Sequence, residues 1–196
     1  GSVEKVLTLG ALVDAGRVTP RTRLTVPPSL ARQDRSIGDW FDHGTIKLTL
    51  AGVLAKSSNI GTVLAADKFE GDELRDYLTA FGLGEATDVG VRGESAGIVP
   101  SGSLWTSQTQ DRVAFGQSIS VNALQMAAAV SSIANGGQLF TPRVVGAVIA
   151  GGTRTPIAHT VVRRTVSSGT AALLTGIMEQ VVERGTGTRA RVPGFT

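Results

Sequence analysis

The chain has 196 residues, 41% of them hydrophobic and 18% charged, with a net charge of +3 from 19 basic and 16 acidic side chains. That is chain enough for one domain with a real core, and the composition excludes a disordered segment. Scattered basic charge, one Tyr and two Trp exclude a nucleic-acid footprint; the lack of cysteine excludes a disulfide scaffold, a thiolate zinc site and a cysteine nucleophile; and two histidines, His43 and His159, leave little for a metal cluster or a Ser-His-Asp triad. No apolar run approaches the roughly 18 residues that span a bilayer, and no signal peptide is visible.

Residues 3–15 carry Val3, Val6, Leu7, Leu9, Ala11, Leu12 and Val13 and end at Gly16, the spacing of a buried helix with a glycine at its C-terminus. Residues 17–45, punctuated by Pro20, Pro27, Pro28, Gly38 and Gly44, read as a loop-rich excursion with short strands such as residues 23–26. Thr45 is placed to cap a helix through Leu48, Leu50, Ala51, Val53 and Leu54 that stops near Ser57. A second helix is expected over 60–68. A third is expected over 71–82, with Asp72 and Glu73 in its first turn, where acids suit the helix dipole. Residues 82–104 are a Gly- and Pro-rich connection. Residues 122–135 give the longest clear helix, stopped by Gly136-Gly137. Residues 141–150 read as a strand, and Gly151-Gly152 as a turn into a second strand near 158–162. Ser167 or Ser168 caps a last helix over 171–184. There is no internal repeat and no low-complexity linker.

Chemistry is concentrated in two short motifs. Ser2 and Lys5 stand at i and i+3 and so share one face of the first helix. A serine in the first turn lies in the positive field of a helix N-terminus, and a lysine whose pKa is lowered can take its proton. This makes a serine–lysine dyad without histidine. The plain alternative is a Gly-Ser chain start followed by a solvated lysine. Lys56-Ser57-Ser58-Asn59-Ile60-Gly61 lies between two expected helices. Ser57 offers a hydroxyl that can relay a proton, and Asn59 an amide that both donates and accepts, as a peptide substrate requires. In isolation the same tripeptide is a helix-capping turn.

Ser-x-x-Lys followed by Ser-x-Asn resembles the signature of penicillin-binding proteins and serine β-lactamases. The flanks resemble the high-molecular-mass class B transpeptidases, in the division-type form of actinobacteria. Gly1-Ser2-Val3-Glu4-Lys5-Val6 resembles their first-motif segment and residues 44–61 their second-motif block. Residues 81–84 and 93–97, then Gly116-Gln117 and residues 134–137, are similar to their later landmarks, so the order is kept over nearly the whole chain. The family's third motif, Lys-Thr-Gly or a variant, is not in this sequence: Gly185-Thr186-Gly187-Thr188 lacks the lysine. The expectation is therefore an α+β penicillin-binding/β-lactamase-like transpeptidase fold. The fragment 1–196 would be mostly helical, truncated at both ends, without the sheet strand of the third motif.

The resemblance implies peptidoglycan DD-transpeptidation through a serine acyl-enzyme in septal cell-wall synthesis. Ser2 would be the nucleophile, Lys5 the proton acceptor, Ser57 the relay and Asn59 the group that holds the substrate amide. It implies a D-Ala-D-Ala stem peptide as substrate, β-lactams as inhibitors, and neither cofactor, metal nor nucleic acid. It also implies a full-length protein anchored at the outer face of the cytoplasmic membrane beside a glycan polymerase. The alternatives are a serine β-lactamase or DD-carboxypeptidase, with Glu94 as the candidate deacylating base, and a non-catalytic β-lactam-binding or scaffold domain. His43, beside Trp40 and Phe41, is read as part of a surface loop cluster, and Trp105 as packing.

Overall fold

The computed structural model describes residues 1–33 and 35–195. Its first helix, α1 (Glu4–Asp14), is buried nearly all round, from Lys5 and Leu7 through Leu12. A helix with no polar face belongs inside a protein. Around α1 are α2 (Leu50–Lys56), α3 (Asn59–Ala66), α4 (Glu73–Ala80), α5 (Ser107–Ala114), α6 (Ala123–Ala134) and α7 (Ser168–Arg184), and α1 packs against every one of them. Gly10 lets α7 approach closely, since a Cβ there would lie 2.6 Å from a methyl of Leu174. The core runs through Leu7, Leu12, Val53, Ile60, Phe81 and Leu174, with Trp105 packed against its edge, as expected.

The strands are β1 (Arg23–Val26), β2 (Leu30–Arg32), β3 (Arg35–Ile37), β4 (Ile46–Thr49), β5 (Gln138–Phe140), β6 (Ala147–Ala150), β7 (Thr153–Pro156) and β8 (Val161–Arg164). They form separate antiparallel pairs, β1–β4, β2–β3, β5–β8 and β6–β7. The α+β character expected from the sequence is what is found.

Several boundaries differ from the sequence reading. Residues 46–49 are strand and not helix, because they bond β1 in register from Arg23↔Thr49 to Val26↔Ile46. The helix cap therefore moves from Thr45 to Thr49, whose side chain accepts the Gly52 N–H at 3.1 Å. The polar helix α5, capped by Thr106, has no apolar stripe to announce it; only Val113 and Ala114 are buried. The strand expected over 141–150 is confined to β6, and Gly151-Gly152, both at positive φ, turn it directly into β7. The second strand lies slightly later, as β8, and pairs with β5 instead. The helix over residues 122–135 is confirmed, with an Asn122–Gln125 capping box, but at 12 residues it is shorter than α7 at 17.

Candidate active site

Ser2 precedes α1 in a tight first turn, where Glu4 N–H bonds the Gly1 carbonyl at 3.0 Å and Lys5 N–H the Ser2 carbonyl at 3.3 Å. The side chain of Ser2 is exposed at the positive end of the helix. Gly116, at φ 85°, supports this turn from below: its carbonyl accepts from the Gly1 backbone nitrogen at 2.8 Å. Further along α1, the buried Thr8 hydroxyl donates to the Ala114 carbonyl at 2.9 Å and ties the helix to the end of α5.

Lys5 points inward and is 1% exposed. Its Nζ donates to the Ser57 carbonyl at 2.6 Å and to the Ser57 Oγ at 3.0 Å. The two motifs, far apart in the chain, thus meet through one buried amine. Burial pushes the Lys5 ammonium down to about 8, against the opposing pull of the Asp39 carboxylate. Among the described residues the Ser2 hydroxyl makes no hydrogen bond, so the dyad is poised at one helical turn and not closed. Apo geometry of this kind is common where the bond forms only with substrate in place.

The second motif is a junction of two helix ends. Ser57 ends α2 in the left-handed region at φ 54° and ψ 41°, with its N–H on Leu54 and the Ser58 N–H on Val53. This is a Schellman closure, usually made by glycine, and the serine there carries a strain of about 1–3 kcal/mol. It aims the Ser57 carbonyl and hydroxyl at Lys5. Ser58 caps α3, accepting the Gly61 N–H at 2.8 Å. Asn59, the first residue of α3, donates from Nδ2 to the Gly38 carbonyl at 2.9 Å. Beside Asn59 opens a cleft of about 250 Å³, walled by Gly38, Asp111, Arg112, Phe115 and Gln117. Ser2, Lys5, Ser57 and Asn59 therefore lie on the elements where the motif reading puts them, and Lys5 and Ser57 are in direct contact.

The reading missed Asp39 and misplaced His43. The His43 side chain is 6% exposed and the Asp39 side chain not exposed at all, and the two are 3.2 Å apart. Stacking of Phe41 on the imidazole, at 4.8 Å between centroids, covers the ring and makes this loop part of the site's base. No local pattern marks Asp39: it is one acid between a glycine and a tryptophan. Glu94 is also not a free base, because its Oε1 accepts from the Thr87 hydroxyl at 2.7 Å, the Thr87 N–H and Asn122. The Thr87 hydroxyl above all holds its carboxyl below the usual value.

Glu4, between the two residues of the first motif, is 1% exposed, and neither of its carboxyl oxygens has a hydrogen-bond partner among the described residues. Burial pushes this carboxyl up to about 8. A carboxyl raised in the fold destabilises it progressively as pH climbs from its unfolded value of 4.5 toward about 8. Glu4→Gln is expected to remove that loss. Its thermal melting curve rises above the wild-type curve as pH increases through this window, by on the order of a few kcal/mol at the upper end.

A buried lysine bridging a Ser-x-x-Lys helix to a Ser-x-Asn turn, inside an α+β scaffold, defines the penicillin-recognising class of fold. The penicillin binding protein transpeptidase domain matches residues 1–196, and the chain belongs to that family. It is 36% identical over 203 residues to the penicillin-binding protein PbpB of Mycobacterium tuberculosis, covering 100% of this chain and 30% of that protein. Stage V sporulation protein D of Bacillus subtilis is 30% identical over 202 residues, with 100% and 31% covered. The chain thus spans about a third of the length of these curated relatives. Among solved structures, penicillin binding protein 3 of Mycobacterium tuberculosis complexed with aztreonam superposes with a TM-score of 0.92 at 36% identity, covering 100% of this chain and 46% of that one. The transpeptidase domain of Burkholderia pseudomallei penicillin-binding protein 3 gives 0.86 at 31%, covering 100% and 57%.

Proposed function

We propose that this chain carries the acylating half of a peptidoglycan DD-transpeptidase. The observation that supports it is the Lys5–Ser57 contact: a desolvated amine held one helical turn from a serine at a helix N-terminus. Ser2 Oγ attacks the penultimate D-Ala carbonyl of a stem peptide, and Lys5, as the free amine, takes its proton. With its pKa near 8, roughly a tenth of Lys5 is already neutral at pH 7. Ser57, bonded to Lys5, returns a proton to the departing D-Ala nitrogen. The Asn59 amide holds the substrate backbone, and the Ser2 N–H stabilises the oxyanion. An amine from a neighbouring stem then resolves the acyl-enzyme into a cross-link. β-Lactams acylate the same serine, a reading supported by the aztreonam and ampicillin complexes of the mycobacterial relative.

The chain is read as the part of a larger transpeptidase domain that holds its first and second motifs. The names PbpB and Stage V sporulation protein D support a role in septal wall synthesis. The whole protein is proposed to act at the outer face of the cytoplasmic membrane, anchored there beside a glycan polymerase. No helix among the described residues is long and apolar enough to cross a membrane. The test is labelled penicillin on the whole protein. The adduct is expected on Ser2 and is expected to vanish in Ser2→Ala. An adduct mapped to another residue, or a Ser2→Ala protein that still labels, rejects the assignment.

A further inference from the structure

Beneath the second motif lies a carboxylate that none of the acyl-transfer steps uses. Asp39, on the loop between β3 and β4, has no exposed side-chain surface. Its Oδ2 accepts the Ser58 hydroxyl at 2.6 Å and faces His43 Nε2 at 3.2 Å, while its Oδ1 accepts the Ile60 N–H at 3.0 Å. One carboxylate thus binds two successive polar groups of the helix start that presents Asn59. The Ser58 hydroxyl donates to it and in turn accepts the Gly61 N–H, so the bonds form a chain from the loop into α3. The neighbouring residue, Gly38, receives the Asn59 amide. The loop therefore sets both the position of α3 and the rotamer of Asn59.

Charge adds a second consequence. The Asp39 carboxylate acts on Lys5, which is buried against the same turn. Behind Asp39, His43 has Nδ1 2.6 Å from the Gly44 carbonyl and Nε2 against the carboxylate. Both ring nitrogens lie against oxygen atoms of the loop, which holds the imidazole in place behind the carboxylate. The titratable groups around the cluster are Lys5 from α1, Asp39 and His43 on the loop, and Lys56 at the end of α2, whose Nζ lies 5.4 Å from the centre of the Phe41 ring. Of these, Asp39 bears on Lys5 and favours its ammonium.

We propose that Asp39 is a positioning residue for acylation, a buried carboxylate that fixes the Ser57-Ser58-Asn59 turn and sets a negative charge behind the turn that holds Lys5. The proposal rests on the acyl-transfer reading above. It is tested by acylation with a chromogenic β-lactam, using the whole protein, as a function of pH. In Asp39→Asn the plateau rate is expected to fall by about tenfold or more, since an amide nitrogen cannot accept the Ser58 proton. The acid limb of the profile moves to lower pH, because Lys5 loses the charge that favours its ammonium. A merely structural role for Asp39 lowers the rate at every pH and leaves the limb where it is. An unmoved limb in Asp39→Asn overturns the proposal; if that protein does not fold, Ser58→Ala removes the hydroxyl that Asp39 binds, and an acylation rate within about twofold of wild type in that variant overturns it instead. Loss of Ser2 labelling in the wild type would instead sink the acyl-transfer reading, so the two failures are distinct.

Discussion

Lys5→Ala is expected to reduce acylation of Ser2 by penicillin by about 10³-fold, while circular dichroism and the mass of the folded protein stay close to wild type. Lys5 stands one helical turn from Ser2 and its Nζ bonds the carbonyl and hydroxyl of Ser57. In the wild type the acylation rate should rise as pH passes the lysine's value of about 8 and level off above it. The alanine variant should show only a low residual rate without that limb. Lys5→Arg should be as inactive as Lys5→Ala, because a guanidinium does not deprotonate in this range. Stopped-flow acylation across pH decides the matter. An alanine variant within about tenfold of wild type would make Lys5 a packing residue.

Gly116→Ala carries the second large expected effect, and it acts without touching any catalytic group. Gly116 sits at φ 85°, and a Cβ there would lie 2.1 Å from the Gly1 carbonyl oxygen. Both partners are backbone, so no side chain can swing aside. The left-handed conformation adds its own cost for any L-residue. The turn holding Gly1 and Ser2 must then shift, and a loss of stability on the order of 3 kcal/mol is expected. Acylation should fall with it, because displacement of a nucleophile by about 1 Å costs roughly 100-fold. Chemical denaturation and the acylation rate, measured on the same sample, check both parts. A variant that melts and acylates like wild type would show that the Gly116 contact does not support the nucleophile.

How much of this was legible in the sequence follows from which interactions are local. The α1 pattern and the helix over 122–135 were visible because helix signals repeat within a few residues. Thr45 and Thr49 could not be told apart in this way. What makes residues 46–49 a strand is β1, and β1 is remote in sequence. That Ser2 and Lys5 stand one turn apart was legible from their spacing, and the motif order pointed to the family. Asp39 was not legible for the opposite reason. Its role exists only once the loop folds back on α3, with partners 19 and 21 residues away. His43 was misread on the same ground: a histidine between aromatic and acidic residues looks exposed until Phe41 and Asp39 close over it.

The backbone of the α2–α3 junction is closed by short-range bonds, Ser57 N–H to Leu54, Ser58 N–H to Val53, Gly61 N–H to the Ser58 hydroxyl and Thr62 to Ser58, all within five residues, and Asp39 joins it from 19 positions away. The bond from Lys5 to that junction spans 52 positions. The turn can therefore be shaped early in folding, whereas the lysine reaches it only after α1 has docked among the other helices. A chain that is collapsed but not fully assembled has its serine and its turn yet no amine between them. On the proposed acyl-enzyme chemistry, penicillin labelling of the whole protein is expected to count assembled molecules. The ratio of labelled to total chains is a folding yield that can be read in crude extract, without purification and without a thermodynamic fit.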